Sequence, residues 1–136
     1  MPHPDPHGAK ALIGRVLAIG LDPSFADLSA FPTLSVDLVR AYIDDQIDRL
    51  RANGLDTDSC LVDRGESAER VIEQALQSKR YDCIVIGAGL RQPPELLPLF
   101  EKVINLVHQL APHSRIAFNS TPADTLEAVQ RWMAVD

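Results

Sequence analysis

Tyr81-Asp82-Cys83-Ile84-Val85-Ile86-Gly87-Ala88-Gly89-Leu90-Arg91-Gln92-Pro93-Pro94 is the stretch that decides how this chain folds. Cys83 to Ile86 is a short apolar run, β-branched at three of its four positions, with Asp82 before it and Gly87-Ala88-Gly89 after it. A strand buried on both faces has this composition, and such strands belong to parallel sheets. The two glycines allow a sharp turn and the close approach of a ligand or a neighbouring backbone. An apolar helix lies behind the turn and ends near Leu110.

Downstream, Pro93-Pro94 fits a helix entry, while Pro98 disturbs the first turn because it donates no amide hydrogen. The spacing predicts an irregular start and a regular third helix from about Pro98 to Leu110. Leu96, Leu97, Leu99, Phe100, Val103, Ile104, Leu106, Val107 and Leu110 make its apolar surface wider than one sheet face requires. Either the helix is central and well covered, or its second apolar edge forms a homodimer interface. Arg115 to Phe118 reads as a fourth strand. Thr121-Pro122-Ala123-Asp124 reads as a helix start, with a threonine cap, proline at the first position and an acid three residues after the cap. Leu126, Val129, Trp132 and Met133 then share one stripe.

Upstream, Leu12 to Ile19 is the first strand and ends at Gly20-Leu21-Asp22-Pro23. The loop that follows carries Phe25, Leu28 and Phe31 and exceeds the usual βα connection; long loops of this kind often bind or cover something. A first helix begins near Ser35, with Leu38, Val39, Tyr42, Ile43, Ile47 and Leu50 at helical spacing and Asn53-Gly54 as its stop. Asp58 to Val62 is a weaker, edge-like strand. Asp63 to Ser67 turns into a second helix with Val71, Ile72, Ala75 and Leu76 inward, and Lys79-Arg80 suits its last turn.

The alternation of strand and helix, with right-handed crossovers, gives an α/β fold: a three-layer α/β/α sandwich on a four-stranded parallel sheet of order 2-1-3-4, flavodoxin-like but lacking a fifth strand. Residues 1–10 read as a flexible tail, in which His3 and His7 offer at most a weak metal site, and residues 11–136 as one domain. At 136 residues the chain is long enough to bury about two-thirds of its unfolded surface. Its net charge of −6, without a basic cluster, argues against nucleic-acid and membrane partners. No apolar run reaches the roughly 18 residues of a membrane span. Cys60 and Cys83 sit in apolar runs away from other metal-ligand types, so they read as buried thiols in a reducing, cytoplasmic compartment.

Ligands in such sheets bind at the carboxyl ends of the strands where the winding reverses, here between strands one and three. Asp22, Gly87, Gly89, Arg91, Asn119 and Thr121 line that crevice and form the candidate ligand site. Helix N-termini favour negative charge there, and Arg91 is placed to clamp a carboxylate or phosphate. No catalytic set, metal cluster or cofactor motif stands out. The loop Leu21-Asp22-Pro23-Ser24 is not a flavin phosphate loop, and the glycine pair follows the wrong strand for a dinucleotide fingerprint. Receiver domains share the layout, but Gly87 and Ala88 stand where their phospho-acceptor aspartate would be. A serine-hydrolase reading lacks its nucleophile motif and a histidine beyond His113.

Ile84-Val85-Ile86-Gly87-Ala88-Gly89, Pro93-Pro94, Leu99 to Asn105, Ile116 to Asn119 and Asp124-Thr125 resemble a pattern shared by a set of small bacterial flavodoxin-like, receiver-like proteins. The resemblance covers the C-terminal half and implies a flavodoxin-like fold in a bacterial cytoplasm; it carries no activity with it. The resulting expectation is a non-catalytic regulatory module, a homodimer through the third helix, that binds a small anionic ligand or a protein partner. The competing expectation is an enzyme acting on a small anionic or phosphorylated metabolite. Arg91 would hold the anion, Asp22 would serve as acid/base or magnesium ligand, and Asn119 would orient the substrate.

Overall fold

The computed structural model describes residues 12–133, so the expected tail over residues 1–10, with His3 and His7, lies outside the described residues. The strands are β1 (Gly14–Leu21), β2 (Leu55–Val62), β3 (Cys83–Ile86) and β4 (Arg115–Phe118). The helices are α1 (Val36–Ala52), α2 (Ala68–Ser78), the single turn α3 (Ala88–Arg91), α4 (Leu97–Leu110) and α5 (Thr125–Gln130). All pairings are parallel and the order is β2-β1-β3-β4. The architecture is the expected flavodoxin-like α/β/α sandwich with four strands.

β3 is the centre of the molecule. Its four residues are fully enclosed, and alternation sends Ile84 and Ile86 to one face and Cys83 and Val85 to the other. The first face packs under α2 and α4 through Ile72, Leu76, Val103 and Val107. The second packs under α1 and α5 through Leu50, Leu126 and Val129. Gln46 is buried on α1, and its Oε1 accepts the Leu126 amide at 2.9 Å, joining the two helices of that layer.

Several boundaries differ from the sequence reading, each for a physical reason. β1 starts at Gly14, leaving Leu12 and Ile13 exposed. β2 starts at Leu55, three residues earlier than expected, because Asp56 is tolerated in the strand by pairing with Arg15; Asp58 pairs with Lys79 and Tyr81. Lys79 therefore reaches across to Asp58 at 3.0 Å instead of completing the last turn of α2. On α1, Leu38 and Tyr42 are exposed, while Val39, Ile47 and Leu50 are buried as expected. The Ser35 hydroxyl caps this helix by accepting the Leu38 amide. A short 3-10 turn (Pro94–Leu96) precedes α4, and Pro98 falls within its first turn, where an amide hydrogen has no helical partner to lose.

The breadth of apolar surface on α4 is explained by its two neighbours: it covers the sheet and lies along α2 at once. Val107, like Val103, is fully buried, and Leu97 is the apolar residue that this helix leaves most exposed. α5 begins at Thr125, four residues beyond the threonine read as its cap. Thr121 Oγ1 instead accepts the Ala123 amide, and the Asp124 carboxylate accepts the Ser120 and Thr121 amides, which makes a turn of the segment. Trp132 is exposed, so the expected stripe ends at Val129, with Met133 packed partly against the core.

Candidate functional site

At the carboxyl ends of the strands the chain uses its own side chains to satisfy the amides that a ligand would otherwise meet. Asp22 follows β1, and its Oδ1 accepts from the Ser24 amide (3.0 Å), the Ser24 hydroxyl (2.8 Å) and Arg40 Nη2 (2.9 Å). The Arg40 guanidinium, then the Ser24 amide, draw its pKa from 3.8 to about 2. Asp63 does the same after β2: it accepts the Gly65 and Ser67 amides and the Ser67 hydroxyl at the entry to α2. The Ser67 hydroxyl is the main reason its pKa is lowered. Burial raises the pKa of Asp124, but bonds from Ser120 and Thr121 outweigh it and the net shift is downward.

Gly87 and Gly89 have negative φ, so neither is required for a left-handed turn; Gly54 and Gly65 are the glycines with positive φ among the described residues. A Cβ at Gly87 would sit 3.5 Å from Gly20 Cα, and one at Gly89 3.5 Å from Leu21 Cβ, both ordinary contacts. The Gly87 amide continues the ladder by donating to Ile19 O at 2.8 Å. α3, which follows, is one turn long, too short to sum a substantial helix dipole. Its first amide, on Ala88, donates to Asn119 Oδ1 at 2.8 Å, and Asn119 Nδ2 donates to Thr125 Oγ1 at 3.1 Å. Asn119 is buried, with both ends of its amide engaged. Arg91 Nη1 donates to Asn119 O at 2.9 Å, and its guanidinium carbon lies 5.4 Å from the centroid of Phe118. Phe118 also packs on Phe100, with ring centroids 6.0 Å apart.

The six residues read from sequence are engaged in different places. Arg91 and Asn119 tie α3 to the end of β4, Gly87 continues the ladder of β3 with β1, and Gly89 lies beside Leu21; Asp22 is tied to α1; Thr121 belongs to the turn before α5. Arg40 and Gln46 do not stand out in the sequence reading, and Phe118 and Thr125 enter it only within the fourth strand or stretches of the resemblance. Gln46 alone carried a signal, as the one polar residue on the buried stripe of α1 between Val39 and Leu50.

Two shallow, open depressions lie elsewhere. One, of about 420 Å³, opens at the amino ends of the strands between Ile13, Arg15, Asp56, Arg80 and Asp82. The other, of about 440 Å³, runs between α2 and α4 past Glu69, Glu101, Lys102 and Gln109. Among the described residues no three His, Cys, Asp or Glu side chains are grouped to hold a metal ion. No described helix is long and apolar enough to cross a membrane. Cys60 and Cys83 are buried and unpaired, and burial pushes both thiols up to about 11.

These features define the class as a four-stranded flavodoxin-like domain. No protein-family model matches the chain, and no curated protein matches it either.

Proposed function

We propose that this chain is a non-catalytic, receiver-like binding module that recognises a protein partner through the surface at the carboxyl ends of its strands. The observation that carries the reading is an inversion at this surface. Asp22, Asp63 and Asn119 are engaged within the fold, while Phe25 (45% exposed), Phe31 (54%), Leu97 (53%) and Phe118 (37%) are left facing solvent. Aromatic residues and arginine lead the energetics of protein interfaces. Asp22, ionised far below neutral pH and bonded by three donors, is a poor general base, since catalytic bases work best near the operating pH. A bacterial cytoplasmic setting is supported by the sequence resemblance and by two buried thiols that need no oxidising compartment.

A thermal-shift panel of nucleotides, sugar phosphates and small carboxylates, each with and without magnesium, tests the reading on wild type and Arg91→Ala. A specific ligand at about 100 times its Kd adds about 2.7 kcal/mol, several degrees for a domain of this size. The module reading expects no shift with any compound. A shift in wild type that disappears in Arg91→Ala would replace it with a small-anion site.

A further inference from the structure

We propose that the open edge of β4 docks an extended partner segment that alternates apolar and acidic side chains and adds a fifth strand to the sheet. The inference rests on the partner-binding reading above and names the chemistry of the partner.

The two sheet edges differ in their side chains. On β2, Arg51 donates from Nε (3.2 Å) and Nη2 (2.9 Å) to the outward carbonyl of Thr57, and the strand's acids, Asp56 and Asp58, are paired internally. On β4 the Arg115 amide donates inward to Asp82 O, at 2.9 Å. Because peptide direction alternates along a strand, the groups of Ile116 and Phe118 point outward. Phe118 O is met by Arg131 Nη2 at 2.6 Å, in agreement with that direction. Among the described residues, the Ile116 amide, the Ile116 carbonyl and the Phe118 amide remain as a template for another strand.

Side-chain alternation then sets what fits. Ile116 and Phe118 lie on the α4 side, where Ile116 packs partly against the core and Phe118 meets Phe100. Arg115 shares the opposite face with Ala117, beneath α5, from which Arg131 also reaches the strand. Arg115 pairs with no acid among the described residues, and Asp124, within Coulombic reach of Arg131, is turned to Ser120 and Thr121. An added strand would therefore set apolar residues beside Phe118 and acidic ones beside Arg115 and Arg131. A second copy paired edge to edge in antiparallel fashion would instead bring the Arg131 end of one strand against the Arg115 end of the other, a like-charge contact.

The test uses two dye-labelled, end-blocked peptides, one alternating valine and glutamate and one alternating valine and lysine, read by fluorescence anisotropy against the full chain. The proposal expects saturable binding of the glutamate peptide and binding of the lysine peptide weaker by about tenfold, the scale of one or two surface charge pairs. Arg115→Glu should reverse that preference. Ile116→Pro, which removes an outward amide that β3 does not use, should abolish binding, and the Ile116 and Phe118 amides should exchange more slowly in the wild-type complex. Absence of binding by either peptide, or binding indifferent to Arg115→Glu, overturns the proposal. So does sedimentation showing that the chain pairs with itself and that Ile116→Pro separates the copies. Failure here with a silent small-anion panel removes the edge alone; a positive panel removes the partner reading itself.

Discussion

Asn119 is the residue on which the carboxyl surface turns. Its buried amide caps Ala88 with one end and holds Thr125 with the other, so the position reads as structural positioning of α3 and α5. Asn119→Ala should cost about 1–3 kcal/mol in chemical denaturation, the usual penalty for stranding a buried donor. Asp22 makes a different prediction, in acid. Its folded pKa, about 2, lies below the ordinary 3.8, so its contribution is complete above pH 4 and is lost as pH falls toward 2. Asp22→Asn should therefore flatten part of the acid limb of a stability profile between those values. The effect should be about 1 kcal/mol, since Arg40 and Asp22 are both partly solvated. An unchanged acid limb would show that the ion pair contributes nothing.

Among the elements, those whose signal is local were legible from sequence. β3 was readable because an enclosed parallel strand must be apolar throughout, and α1 because Ser35 and Asn53-Gly54 punctuate it. The beginning of β2 was hidden by Asp56, whose partner Arg15 lies 41 residues away along the chain. Thr121-Pro122-Ala123-Asp124 misled because the hydroxyl and carboxylate that cap helices also close tight turns. The candidate site suffered most from this limit: its residues were correctly placed at one edge of the sheet, but which groups were already engaged depended on Arg40, Thr125 and Ser67. For α4 the structure separates two apolar residues that look alike in sequence. Val107→Ala should cost about 2 kcal/mol through a buried cavity, whereas Leu97→Ala should stay within about 0.5 kcal/mol. Denaturant midpoints of the two variants check the pair, and equal losses would contradict the assignment of α4 to the sheet and α2.

For the molecule as a whole, the fold brings three aspartates and an asparagine to the surface where α/β domains usually receive ligands, and directs them inward at the chain's own amides. The aromatic side chains Phe25, Phe31 and Phe118 are left exposed to a visitor. The most direct measurement is an NMR titration of the intact chain with inorganic phosphate, with and without magnesium, following the backbone amides of Ser24, Ser67 and Ala88. Internally capped amides should hold their positions throughout, with only small, unsaturable salt effects. Saturable movement centred on Ala88 would show that an anion displaces the Asn119 cap, and would contradict the account.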